Sequence, residues 1–136
     1  MKGLIKFLSA FLLVGLLFGC QGQKAPRPLC RVVTRIDIVC QSESEPLQRR
    51  YTDEEKMRAV LLYLRLLRVG RPPEEDPDTV TGDVYKITVT LSDGAQRFYT
   101  LKDHRFFQKG TNGWLSIPPT QAADLYRLMW FYDSDA

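Results

Sequence analysis

Tyr85-Lys86-Ile87-Thr88-Val89-Thr90-Leu91-Ser92-Asp93-Gly94-Ala95-Gln96-Arg97-Phe98-Tyr99-Thr100-Leu101 decides the fold class. Tyr85, Ile87, Val89 and Leu91 alternate with Lys86, Thr88 and Thr90, the period-2 pattern of a strand with one buried face. Asp93-Gly94 is a strong hairpin signal. Residues 96–101 then return, rich in aromatic and β-branched side chains. Working forward, Asp103-His104 reads as a bend, 105–109 as a further strand, Gly110 to Gly113 as a turn and 114–117 as a last short strand. Three or four antiparallel strands in series form a meander.

Working backward, Cys30, Val32, Thr34, Ile36, Ile38 and Cys40 fall on one parity, and Arg31, Val33, Arg35, Asp37 and Val39 on the other. This predicts a strand over 30–40. Residues 42–46 read as a polar turn and 47–51 as a short return strand. Thr52-Asp53-Glu54-Glu55 matches a capping box, with Thr52 as the cap. The helix it opens is expected over 53–69, with Met57, Val60, Leu61, Leu64 and Leu67 facing the sheet. Leu62, Tyr63 and Leu66 widen its apolar surface, to be covered by loops or to serve as an exposed binding patch. Gly70, Pro72 and Pro73 stop it. Residues 71–81 form a Pro-rich acidic loop that lacks the spacing of a calcium loop. Pro118-Pro119 suits the first turn of a second helix reaching about residue 130. The tail from Asp133 is expected to fray. The order ββα-βββ(β)α predicts an α+β fold: a single antiparallel sheet with two helices packed on one face.

The start of the chain has a different character. Lys2 and Lys6 precede an apolar run over 7–18, about the length of a signal-peptide core and short of the ~20 residues that span a bilayer. Leu17, Gly19 and Cys20 resemble the lipobox of bacterial prolipoproteins, with Phe18 bulkier than the residue usual at its position. The resemblance covers 1–20. It implies cleavage between Gly19 and Cys20 and diacylglyceryl attachment to the Cys20 thiol. The alternative is an ordinary secretory signal or an uncleaved anchor. Two acyl chains hold a protein stably on a membrane, whereas one holds it marginally. The domains then read as a signal peptide over 1–19, a tether over 20–28 and one α+β domain over 29–136. The localisation is the extracytoplasmic face of the cell membrane.

Removing residues 1–19 takes away Lys2 and Lys6 and no acid, leaving 17 basic against 16 acidic residues, a net charge near +1 in place of +3. That balance offers no electrostatic case for nucleic acid binding. Export permits disulfides. Ten residues of extended strand nonetheless span ~33 Å, and a bridge needs Cα atoms within ~7 Å. Cys30 and Cys40 are therefore expected not to pair with each other.

Chemistry-bearing motifs are few. His104 is the one histidine. No Cys-x-x-Cys, His-x-x-x-His, phosphate loop or Gly-x-Gly-x-x-Gly occurs, and neither a metal nor a cofactor is expected. In Phe98-Tyr99 and Phe106-Phe107, adjacent strand residues face opposite ways: either the outer sheet face is an aromatic binding surface, or, the reading preferred, it is covered by the long acidic loop or carries Phe and Tyr at partial exposure. Phe98, Tyr99, Phe106, Phe107 and Trp114 are the candidate binding surface. The mature part also loosely resembles small uncharacterised lipoproteins of Gram-positive anaerobes, through Tyr51-Thr52-Asp53, Gly82-Asp83-x-Tyr85 and Gly113-Trp114-x-x-Ile117. These features suggest a non-enzymatic, membrane-anchored protein-binding or accessory module with an envelope protein as partner. The alternative is a small inhibitor or immunity-type protein acting on an envelope enzyme.

Overall fold

The computed structural model describes residues 32–44 and 46–135. The lipobox, the tether and Cys30 lie outside them. Six strands form one antiparallel sheet: β1 (Val33–Gln41), β2 (Leu47–Tyr51), β3 (Val84–Leu91), β4 (Gln96–Lys102), β5 (Phe106–Lys109) and β6 (Leu115–Ser116), in the spatial order β2-β1-β3-β4-β5-β6. Two helices, α1 (Glu54–Arg65) and α2 (Thr120–Phe131), complete the α+β fold. The β3–β4 hairpin turns in the expected place, but through the three residues Ser92-Asp93-Gly94: Gly94 N–H donates to Leu91 O and Leu91 N–H to Ala95 O, both at 2.9 Å, and Gly94 alone takes a positive φ, 88°. That left-handed backbone is open to glycine without a Cβ clash.

One parity of the sheet makes the core. Ile36, Ile38 and Cys40 of β1, Tyr85, Ile87, Val89 and Leu91 of β3, Leu101 and Phe107 are all buried. They pack with Met57 and Val60 of α1 and with Ala122, Leu125 and Met129 of α2 in one cluster. Both helices thus cover the same face. Tyr63 Oη ties them together by donating to Gln121 O at 2.5 Å. Burial pushes the Tyr63 phenol well above its ordinary value, with the Asp124 charge adding to the shift.

Three local expectations are corrected. The cap of α1 is Asp53, whose carboxylate accepts from the Lys56 N–H at 3.1 Å. Thr52 instead stands one residue before the cap, with its N–H and hydroxyl both donating to Asp135. The helix ends at Arg65, not 69, because the following chain is drawn to the sheet. Gly70 N–H donates to Ser116 O at 2.7 Å and Ser116 N–H to Arg71 O at 2.9 Å. The apolar surface of α1 is consequently divided: Leu61, Tyr63, Leu64 and Leu67 pack against the core, while Leu62 and Leu66 are 49% and 64% exposed.

The third correction concerns the tail, which is bound and not frayed. Arg50 N–H donates to Ser134 Oγ and Asp135 N–H to Arg50 O, at 2.9 and 3.0 Å, along the free edge of β2. Tyr51 Oη donates to Tyr132 O at 2.6 Å, and burial pushes this phenol up to about 12. Residues 70–71 close the opposite edge at β6 in the same manner. Both edges of the sheet therefore have main-chain partners, which blunts edge-to-edge pairing between copies.

Candidate functional site

The structure separates the five aromatics expected to form one surface. Register places Tyr99 opposite Ile87 and Phe107 opposite Leu101, both on the helix-covered side. They stack with centroids 6.3 Å apart and belong to the core. Phe98 pairs with Thr88 on the outer face and is 50% exposed. Phe106 points to that same side yet is only 3% exposed. Trp114 meets it edge-on with centroids 6.5 Å apart, and the Arg105 guanidinium lies 4.9 Å from its ring centre. Of the five, Phe98 is thus the aromatic left open on the strands' outer face, which is otherwise polar. Lys86, Thr88, Thr90 and Thr100 lie beside a clamp in which Arg35 and Arg50 donate to the two oxygens of Asp37 at 2.9 and 2.8 Å. Alternation correctly set one aromatic of each pair apart; the covering of Phe106 depends on a loop distant in sequence.

That loop builds a groove. Arg105 binds Glu75 at 2.6 Å and Asp103 at 2.7 Å, drawing residues 72–77 over Phe106 and against Trp114. Asp76 then caps a 3-10 turn at Pro77–Thr79, its carboxylate accepting from Asp78 N–H at 3.0 Å. Pro72, Pro73 and Pro77 form one wall of a recess of about 600 Å³, Trp114 and Leu115 the other. Its surface is mainly apolar, and Glu74, Glu75 and Asp76 stand on its rim. Prolines fixed at both ends give a wall that loses little conformational freedom on binding.

A second, more polar recess lies where β1 ends and β3 begins. About 380 Å³ in volume, it is lined by Asp83, Tyr85, His104, Tyr126 and Arg127, with Ser42, Ser44 and Cys40. Cys40 is a free, buried thiol opposite Tyr85 in the ladder. Burial pushes this thiol up; the hydrogen bond from the Tyr85 hydroxyl opposes the shift, and the Asp83 charge adds to it. Such a thiol stays protonated and is a poor nucleophile at neutral pH. His104 Nε2 stands 3.8 Å from Asp83 Oδ2, beyond hydrogen-bond length. Among the described residues, no group of three or more His, Cys, Asp and Glu side chains could hold a metal ion.

Comparison of the chain with family models, with curated proteins and with solved structures finds no match.

The turn that carries His104 has an unusual backbone. Asp103 and His104 have φ of 52° and 58°, and Arg105 N–H donates to Lys102 O at 3.1 Å, the pattern of a type I′ turn. Asn-Gly or Asp-Gly is preferred there, and a residue with a Cβ in this region costs ~1 kcal/mol or more. Replacing His104 by glycine should therefore stabilise the protein by about 0.5–1 kcal/mol, after allowance for the greater freedom of glycine in the unfolded chain. A higher urea midpoint with an unchanged m-value would show it.

Proposed function

We propose that this protein is a lipid-anchored, extracytoplasmic binding module that holds an envelope protein against the membrane surface. The reading is non-enzymatic. Its carrying observation is the preformed groove between the proline wall and Trp114, apolar within and acidic at its rim. Interfaces commonly centre on a buried aromatic anchor inside a polar surround. The lipobox residues Leu17, Gly19 and Cys20 support attachment to the membrane. A tether of eight residues beyond Cys20 has a reach of ~15 Å, so the partner would lie close to the bilayer. The Cys40 thiol is buried and its pKa is pushed up by that burial, which makes it a weak nucleophile and in keeping with a packing role.

Crosslinking and affinity capture of the lipidated protein from its own membranes test this. One envelope protein should be enriched by the wild type, and at least about tenfold less by Trp114→Ala, the loss typical of an aromatic anchor. Recovery of no specific protein, or equal recovery by the variant, would overturn the proposed groove contact. Inhibition of lipoprotein processing should separately increase the protein's apparent mass and leave its leader attached; unchanged mass would refute lipidation.

A further inference from the structure

The polar recess has features that the groove reading leaves unused. Asp83 and His104 are both half-exposed and aimed at the same space, and among the described residues neither makes a side-chain hydrogen bond. Their juxtaposition is built rather than accidental. Asp103 N–H donates to Asp83 O at 2.9 Å, joining the start of β3 to the β4–β5 turn. The two segments meet at Gly82, where a Cβ would stand 2.5 Å from the Asp103 carboxylate and 2.9 Å from its Cβ. His104 is held in the left-handed region to complete the pair. Backbone strain of this sort gathers where a side chain's placement matters more than local stability.

The spacing indicates a ligand. A carboxylate oxygen and an imidazole nitrogen 3.8 Å apart are too far to bond each other. They are well placed to bond two adjacent hydroxyls, which themselves lie ~3 Å apart when vicinal and gauche, each within ordinary hydrogen-bond reach. The carboxylate accepts from one hydroxyl, and the imidazole pairs with its neighbour. Arg127 gives one donor to Asp124 at 2.6 Å and keeps others at the recess wall. Tyr126 supplies an aromatic wall suited to the C–H face of a saturated ring. A volume of about 380 Å³ suits one ring and not an extended polymer.

We infer that this recess is a saccharide subsite, which takes the vicinal diol of one sugar residue between Asp83 and His104 with the ring against Tyr126. The site is separate from the Trp114 groove and stands whether or not that groove binds protein. An exported domain at a short reach from the membrane would meet such residues in envelope glycans.

The test uses the full chain in detergent micelles and nuclear magnetic resonance, with methyl α-mannopyranoside and N-acetylglucosamine as probes. A tetrahydropyran bearing one hydroxymethyl group serves as the control ring without a diol. At least one sugar should shift the backbone resonances of Asp83, His104 and Tyr126 with saturation near millimolar concentration, the strength expected of a single small ring, and the control should not. His104→Gly, which relieves turn strain, and Asp83→Ala should each weaken that binding at least about tenfold, the loss typical of a hydrogen bond to a charged or polar partner. Because His104→Gly is expected to be the more stable protein, loss of binding in it cannot come from unfolding. No shift with either sugar, equal shifts with the control ring, or binding unchanged in both variants would overturn the assignment.

Discussion

Gly82→Ala should destabilise the protein by about 2–3 kcal/mol, as a forced overlap with backbone-linked atoms does. The added methyl carbon would sit 2.5 Å from Asp103 Oδ1 and 2.9 Å from Asp103 Cβ and Cγ. The carboxylate of an isolated side chain would rotate away, but Asp103 is held on several sides. Its carboxylate accepts two hydrogen bonds from Arg105, at 2.9 and 2.7 Å, its N–H is bound to Asp83 O, and its φ of 52° leaves the backbone little room. Relief therefore requires the β4–β5 turn to move away from the start of β3. Equilibrium urea unfolding would measure the loss. The same movement should separate Asp83 from His104, so the amide resonances of 83 and 104 should shift together in the variant. A stability loss under 0.5 kcal/mol, the usual size of a neutral surface change, would show that the contact is soft.

Removing residues 133–136 should lower Tm by about 5–10 °C, the scale for losing a helix cap together with edge hydrogen bonds in a domain near 100 residues. The Asp135 carboxylate accepts from Thr52 N–H at 2.5 Å, Asp53 N–H at 2.7 Å and Lys56 Nζ at 2.8 Å. It sits at the positive end of α1, where an anion is favoured. The tail also satisfies Arg50 on the edge of β2 through Ser134. These hydrogen bonds, that of Lys56 first, hold the Asp135 carboxyl far below its ordinary value of 3.8. A folded-state pKa below the unfolded one gives stability that is fully present above the unfolded pKa and is lost as pH falls toward the folded one. Asp135→Asn should therefore show its full Tm deficit near pH 7. The deficit should narrow steadily below about pH 4, because the wild type is then losing what the variant already lacks. A constant gap between about pH 7 and pH 2.5 would contradict this assignment.

Much of this architecture was legible from local signals. Period-2 runs in 36–40 and 85–91, the hairpin signal at Asp93-Gly94 and the helical spacing of Met57, Val60 and Leu64 each involve residues close in sequence. So does the separation of Phe98 from Tyr99 and of Phe106 from Phe107. Such signals reflect backbone geometry, which neighbours share. At the start of β1 the alternation fails, because a register shift between Val33 and Arg35 turns Val33 toward the core and leaves Val32 and Thr34 exposed. The capping box illustrates a second limit. Thr52 had the right chemistry and spacing, but it stands one residue before the cap and donates its N–H and hydroxyl to Asp135, more than 80 residues on. Likewise the helix stop at Gly70 was real as chain chemistry, and the hydrogen bonds of residues 70–71 with Ser116 moved the break earlier.

The candidate sites were hardly legible, for the same reason. Trp114 could be singled out as an aromatic, but its groove requires the proline loop to fold back from 72–77 under the pull of Arg105. His104 read as a bend residue beside Asp103. Its meeting with Asp83 depends on the β3–β4 register and on the close approach allowed by Gly82. By itself, then, the sequence determined the kinds of element, their order and, beyond the irregular start of β1, the face most strands bury. Tertiary structure alone decided which strands became edges and what closed them, which aromatic was roofed, and which polar groups came to share a recess. The division is physical: periodicity and turn chemistry act between near neighbours, while caps, edges and recesses are completed by groups that only the folded chain brings within ~3–4 Å.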